Sequence, residues 1–478
     1  MYDVAIIGAG VIGCSVAREL SRFNIKTIAL EKGPDVSVGA SRANSGIVHG
    51  GYDAKPGTLK AKYNVLGQQM FERLSSELDF PFKRNGSLVV AFGKDGLPEL
   101  ERLMAQGETN GLKNLSIIYK DGLLQMEPNL NSNVYAALVV PEGGITSPYE
   151  MAIAVAENAT SNGVVFKFNC EATNISKING VFSIETTGGV FESHLIINAA
   201  GLYSDSINNM LSSHKLKIIP RRGEYCLFDK TESSLVTHTI FQLPTDMGKG
   251  ILVTPTADGN LLVGPTSNDI NDKSDISTTA AGLSEVLSKG SLSVGKLNKS
   301  KIITSFSGLR AHLGYDDFIV GEAPDVPGLI NLCGIESPGL TSAPAIAAEV
   351  ADIVSKRLNQ AENPNFNPVR KGIPYFRLMN NEERKAAIKE NPDYGNIVCR
   401  CESVTKAEIL QALRSPLGTS SMDSIKRRTR MGMGRCQGSF CSMRALGIIA
   451  EELGVDITEV TKFGKGTNFL NERNKESL

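Results

Sequence analysis

Net charge is almost absent from this chain of 478 residues: 50 Lys and Arg face 51 Asp and Glu. That balance excludes a whole-chain attraction to nucleic acid or anionic lipid as the basis of function. Long hydrophobic runs are also missing. No stretch approaches the roughly 20 apolar residues that a spanning helix needs, and Met1-Tyr2-Asp3 passes straight into a short apolar run with no basic segment before it. The expectation is a cytoplasmic protein, with membrane contact at most peripheral and through a partner. Eight cysteines are too few for a disulfide-built scaffold of this length. What is present, 41% hydrophobic and 21% charged residues, suits a folded chain. At about 150 residues per domain the length suggests about three units, and 47 glycines suit tight backbone approaches to a ligand.

The first 31 residues carry a pattern. Val4 to Ile7 and Thr27 to Leu30 are short β-branched runs, and between them Val11, Ile12, Val16 and Leu20 recur at helical spacing. This is the length of one strand–helix–strand unit. Gly8-x-Gly10-x-x-Gly13 falls at the first strand-to-helix turn. There a glycine permits the tight turn, a second admits a pyrophosphate, and a third lets helix and strand pack closely. Glu31 ends the second strand, where a carboxylate accepts hydrogen bonds from a ribose. Two later segments favour FAD over NAD. Leu195 to Gly201 is an apolar strand ending in Ala199-Ala200-Gly201, suited to close approach beneath a nucleotide. Cys333 to Thr341 precedes a helix predicted over Pro344–Lys356, whose N-terminus stabilises negative charge on a reduced flavin. A second GxGxxG with a following acid is missing, which argues against a separate pyridine-nucleotide domain.

Elsewhere, Asp258-Gly259-Asn260 between two apolar runs predicts a hairpin, as do Asn179-Gly180 and Gly188-Gly189. A polar stretch with Pro364, Pro368, Pro374 and Pro392 marks residues 359–392 as a linker. Within it, Asn381 to Lys389 reads as a short helix with an asparagine cap. The body is thus 1–358 and a small terminal unit 393–478. Residues 396–450 carry nine Lys and Arg against three Asp and Glu, so the neutral total hides a basic module.

Four cysteines are scattered, but Cys399-x-Cys401 and Cys436-x4-Cys441 are bunched. Two close pairs outside a secreted context read as a metal site before they read as disulfides. The spacing fits neither the common zinc patterns nor the plant-type ferredoxin. Iron–sulfur, structural zinc and free core thiols are the three alternatives the spacing leaves open.

Several segments resemble a known family. SRANSGIVHGGYDAKPGTLKAKYN (41–64), PRRGEY (220–225), GKGILVTP (248–255), SFSGLR (305–310) and SPGLTSAPA (337–345) are similar to motifs of FAD-dependent glycerol-3-phosphate oxidases and dehydrogenases, in the D-amino-acid-oxidase-like group. Some are shared with 2-hydroxyglutarate oxidases. CRCESVTKAEI and RRTRMGMGRCQGSFC resemble the bacterioferritin-associated-ferredoxin type of [2Fe-2S] module fused to anaerobic dehydrogenases of that family.

The resemblance implies a Rossmann-like FAD domain interleaved with an antiparallel-sheet substrate domain, α/β plus α+β, followed by a small, mostly helical iron–sulfur domain. It implies His49 as the base that takes a substrate hydroxyl proton while hydride leaves for flavin. His49 is also the one histidine of five in a glycine-flanked loop; His194, His214, His238 and His312 are read as surface or packing residues. Lys249 and Arg310 are implied to hold the substrate's anionic end, with Ser337 as a hydrogen-bond donor. Arg221 and Arg222 are read as supporting residues.

FAD contacts are implied at Gly8, Gly10, Gly13, Glu31, Ser41, Asn44, Ser45, Ala200, Gly201, Gly339, Leu340 and Thr341. A [2Fe-2S] cluster is implied at Cys399, Cys401, Cys436 and Cys441. The partners expected are a small phosphorylated substrate and a redox partner or acceptor, not nucleic acid. Arg400, Lys426, Arg427, Arg428, Arg430 and Arg435 are expected to offset thiolate charge or to form a docking face for an acidic partner. The rivals are a 2-hydroxy-acid dehydrogenase and a catalytically silent electron-transfer subunit.

Overall fold

The computed structural model of the chain describes residues 1–244 and 250–472. An eight-stranded sheet forms the first layer. Tyr2–Ile7 lies at its centre, parallel to Thr27–Leu30 on one side and to Gly189–Asn198 on the other. Leu329–Cys333 and Val165–Lys167 extend it in parallel. The central strands read as continuous apolar runs because both faces are covered. Val4 and Ile6 pack beneath Val16 and Leu20 of helix Val11–Leu20 and Val350 of helix Gly339–Leu358. Ala5 and Ile7 pack on the other side with Phe182 and Ile184, which belong to the antiparallel strands Ala172–Ile178 and Val181–Thr186. These two strands are joined at Asn179 and Gly180, both at positive φ, as a tight hairpin turn needs.

The second layer is a nine-stranded, mostly antiparallel sheet. Its long strands Ile219–Phe228 and Ile302–His312 pair along nearly their whole length. The hairpin expected around Asp258-Gly259-Asn260 joins Leu252–Pro255 to Leu261–Gly264. The chain leaves the first sheet after residue 30, returns at 165–198, leaves again and returns at 319–333. The two layers are therefore interleaved, as expected.

The helix expected from Pro344 begins five residues earlier, at Gly339, and runs to Leu358 with Pro344 inside it. The proline is the sixth residue of the helix, past the four N–H groups that lack partners, so it removes one donor from the ladder. Residues 359–392 run along the body. The Asn24 N–H donates to the Ala361 carbonyl and the Arg370 N–H to that of Glu77. Helix Asn381–Glu390 is capped by Asn380 in a full capping box with Glu383.

The terminal unit has a two-stranded ladder, Ile397–Cys399 with Val404–Thr405. Helices Lys406–Leu413, Met422–Thr429 and Ser442–Leu453 surround a core that includes Val398, Ile409, Ile425 and Leu446. Among the described residues, no helix is long and apolar enough to cross a membrane.

Candidate functional site

The glycine turn sits hard against the neighbouring strand end. A Cβ on Gly8, whose φ is +101°, would stand 2.5 Å from the Ala199 carbonyl oxygen and 3.0 Å from Ala200 Cα. Only glycine satisfies both the backbone conformation and that approach. Gly10 caps helix Val11–Leu20, and Gly13 lies in its first turn. The first helical N–H, that of Val11, donates to Ser41 Oγ at 2.8 Å, which brings the 41–64 segment to the helix N-terminus. Glu31 is 7% exposed and accepts N–H bonds from Ala9 at 2.8 Å and Gly33 at 2.7 Å. Burial raises its carboxyl above the ordinary range, against the pull of those two bonds. A glycine cradle, a helix N-terminus and a buried carboxylate at the next strand end form a donor and acceptor set that fits a dinucleotide.

The loop that follows carries the other expected residues. Asn44 shapes the loop itself, donating to the Ala40 and Ser41 carbonyls and accepting from the Gly46 N–H. Ser45 neighbours the Tyr225 hydroxyl. His49 is buried. Its Nε2 lies 3.2 Å from Ser337 Oγ, and its backbone N–H donates to Thr341 Oγ1 at 2.9 Å. Its ring rests on Phe241, with centroids 5.8 Å apart. Ser337 and Thr341 flank the start of helix Gly339–Leu358, with Leu340 between them packed on the apolar core. That segment therefore holds His49 from ring to backbone. Ala200 and Gly201 open the short helix after strand Gly189–Asn198, with Gly201 at φ +54°.

Arg310 lies on strand Ile302–His312, paired in register with Arg221. Its Nη2 donates to the Thr266 carbonyl at 2.6 Å, which fixes the guanidinium plane. Arg221 is bridged to Asp269, and Arg222 to Glu224 and Asp275, consistent with supporting roles. Lys249 lies outside the described residues.

His312 was read as a packing residue, but the structure gives it a defined setting. Its Nδ1 lies 2.9 Å from Glu336 Oε1, and Lys60 Nζ lies 3.1 Å from the same oxygen. Glu336 immediately precedes Ser337, so this hydrogen-bonded trio braces the segment that meets His49. The signal for Lys60 was its place in the 41–64 segment; that for His312, two residues after Arg310, is visible only once the strand is known.

The four bunched cysteines form two pairs. Cys401 and Cys436 Sγ are 3.6 Å apart. Cys399 and Cys441, both buried, hydrogen-bond each other. That bond from Cys441 holds the Cys399 thiol down to about 6, helped by the Gly432 and Glu402 N–H groups and opposed by burial. Burial works against ionisation of Cys436, but the Gly438 N–H, the Cys401 thiol and the Phe440 N–H outweigh it and lower its pKa. Backbone N–H groups thus converge on the sulfurs from several turns. A Cβ on Gly434 would fall 2.3 Å from Cys401 Cβ, so the loop closes over this ligand only with glycine there. Two thiol pairs ringed by N–H donors suit a centre with two irons.

The arginine run beside these ligands has a role the sequence reading did not foresee. Arg427 and Arg428, each 3% exposed, reach Asp35 of the body at 2.8 and 2.6 Å. Arg430 reaches Asp258 at 2.6 Å, Glu402 at 2.9 Å and Asn260 Oδ1 at 3.1 Å. Asp423 takes Arg42 at 3.0 Å. Buried in these pairs, Arg427, Arg428 and Arg430 present no face to an external acidic partner. They seat the module on its own body, because a buried guanidinium needs a carboxylate and the body supplies Asp35 and Asp258. Arg400 and Arg435 remain exposed beside the ligands.

Comparison with known proteins follows this division. Residues 3–353 match the DAO family, described as FAD dependent oxidoreductase. Residues 397–451 match the BFD-like [2Fe-2S] binding domain. The chain is 48% identical over 481 residues to a glycerol 3-phosphate dehydrogenase of Caloramator mitchellensis, covering 100% of both. It is 34% identical over 374 residues to a glycerol 3-phosphate oxidase of Mycoplasma pneumoniae, covering 76% of this chain and 97% of that protein. The crystal structure of dithionite-reduced L-alpha-glycerophosphate oxidase from Mycoplasma pneumoniae with FAD bound superposes with a TM-score of 0.74 at 33% identity, over 77% of this chain and 98% of that one.

Proposed function

The chain belongs to the family of FAD-dependent oxidoreductases, and from that premise we propose that it oxidises sn-glycerol 3-phosphate to dihydroxyacetone phosphate. The observation that carries this reading is the likeness to a glycerol 3-phosphate dehydrogenase over the full length of both chains, cluster module included. FAD, when bound, would supply a hydride acceptor for substrate C2, and the [2Fe-2S] centre a one-electron outlet toward a redox partner. His49 takes the C2 hydroxyl proton at Nε2, the atom that faces Ser337 Oγ at 3.2 Å. Ser337 and Phe241 set the ring, and Thr341 holds the His49 backbone. Arg310, anchored through Thr266, binds the phosphate by its fork; Lys249 adds a point charge. Glu31, Ser41 and the Gly8 turn hold the cofactor's nucleotide end, and Cys399, Cys401, Cys436 and Cys441 hold the cluster. We place the reaction in the cytoplasm, with any membrane contact made through a partner. The eight cysteines, all outside disulfides, suit a reducing compartment.

The nearest rival is a 2-hydroxy-acid dehydrogenase. L-2-hydroxyglutarate dehydrogenases are similar too, at 35% identity over 51% of this chain in Indibacter alkaliphilus and 27% over 73% in Arabidopsis thaliana, below the 48% over the full chain of the glycerol 3-phosphate dehydrogenase. Anaerobic mixing separates the two. Glycerol 3-phosphate is expected to bleach the flavin and L-2-hydroxyglutarate to leave it oxidised; the reverse pattern overturns the assignment. Bleaching by neither marks a catalytically silent electron-transfer subunit.

A further inference from the structure

The two thiol pairs differ in exposure, and that asymmetry has a direction. Cys399 and Cys441 are buried, whereas Cys401 is exposed and Cys436 partly so. The body covers the module on the side of Arg427, Arg428 and Arg430. Beside the uncovered pair stands Phe440, 83% exposed, with Met443 at 53%. Phe440 is the most exposed large hydrophobic residue described in the chain. Phe440 lies between the ligands Cys436 and Cys441 in the chain and directly precedes the second. Helix Ser442–Leu453 buries Ala445, Leu446 and Ile449 in the module core, so Phe440 and Met443 contribute nothing to that packing.

Three exposed arginines lie beside this patch, one of them paired with Asp229 of the body. Arg400, Arg435 and Arg444 are exposed there, next to Cys399 and Cys401, Cys436, and Met443 respectively. Arg444 donates to the Ile397 carbonyl and Asn396 Oδ1, neutral acceptors that leave its charge uncompensated. Arg435 meets Asp229 but keeps 66% of its side chain exposed. An apolar centre with an arginine rim is the anatomy of a protein-binding face, in which a central aromatic anchors and rim charges steer.

We propose that the Cys401–Cys436 edge, with Phe440 at its centre and Arg400, Arg435 and Arg444 at its rim, docks an acidic one-electron redox protein. This rests on reading the module as the electron outlet. A transient contact of this kind buries under about 1,200 Å², so a single aromatic anchor carries a large share of it.

The test uses the full-length holoprotein, with soluble acidic cytochrome b5 as probe. Both proteins are kept oxidised, so binding is read by calorimetric titration without turnover. Phe440→Ala is expected to raise Kd at least tenfold. Arg400→Glu with Arg444→Glu is expected to do the same and to flatten the salt dependence. Unchanged visible spectra check that cluster and flavin are retained, and flavin bleaching by glycerol 3-phosphate should be unaltered. If both variants bind the cytochrome as tightly as the parent, the proposal is overturned. It is equally overturned if the variants slow reduction of a neutral quinone while cytochrome binding is unchanged, which would assign the face to a small acceptor. A parent dimer that Phe440→Ala converts to monomer would assign it to a second copy of this chain. Loss of bleaching in the parent would instead remove the functional reading and leave the binding result standing.

Discussion

Replacing Asp35 by alanine should loosen the cluster module from the body without unfolding either. Asp35 is 1% exposed and accepts from Arg427 and Arg428 together, at 2.8 and 2.6 Å. Removing the carboxylate leaves Arg427 with Asp423 at 3.1 Å and Arg428 with Glu157 at 3.6 Å, so the cost falls toward the low end of the about 3–5 kcal/mol of breaking a buried pair. Since about 1.4 kcal/mol is tenfold, that corresponds to roughly two to four orders of magnitude in local opening. The Arg430–Asp258 and Arg42–Asp423 bridges stay in place, so about a hundredfold is the expected figure. Amide exchange across helix Met422–Thr429 reads it directly, and Asp35→Ala combined with Arg428→Met should recover part of the protection. Unaltered exchange in Asp35→Ala would refute the assignment of these arginines to docking.

The same contact carries a pH signature. Burial opposes ionisation of Asp35, but Arg428 and Arg427 overcome it and bring its pKa from 3.8 to about 2. A lowered folded-state value means the unfolded chain binds the proton first. The resulting stabilisation, roughly 2 kcal/mol, is complete above about pH 4 and is lost as pH falls toward 2. Exchange in the helix should therefore accelerate over that window in the parent and not in Asp35→Ala.

Three further outcomes are expected. His49→Ala should slow substrate-driven flavin reduction at least a hundredfold in stopped-flow mixing while FAD content stays unchanged; full-speed reduction would remove the base assignment. Gly8→Ala drives a Cβ to within 2.5 Å of the Ala199 carbonyl, so the purified protein should carry less flavin by absorbance while iron per chain is retained. Gly434→Ala should do the opposite, because its Cβ falls 2.3 Å from that of Cys401: iron and cluster absorbance drop while flavin stays.

The parts legible in the sequence were those governed by local rules. Val4 to Glu31 announced its strand–helix–strand unit because two strands, an amphipathic helix and a glycine turn fall within one short window. Asn179-Gly180 and Asn380 declared a turn and a cap through their own side-chain and backbone chemistry. The illegible parts depended on contacts remote in sequence. Nothing around Arg427 and Arg428 indicates that their carboxylate lies near the other end of the chain, so a run of arginines beside four cysteines read as charge compensation. His312 looked idle because its partner, Glu336, comes from a different strand connection. That the Asn44 amide closes its own loop was not legible either, because local turn chemistry and ligand chemistry use the same residue types.

The central claim is that one chain takes electrons from glycerol 3-phosphate at the flavin and delivers them to its own cluster. It is tested most directly by adding glycerol 3-phosphate to the anaerobically purified protein while following flavin absorbance and the electron paramagnetic resonance of the cluster. Flavin bleaching together with the signal of a reduced [2Fe-2S] centre is expected. An oxidised flavin, or a bleached flavin beside a cluster that stays oxidised and silent, would contradict it.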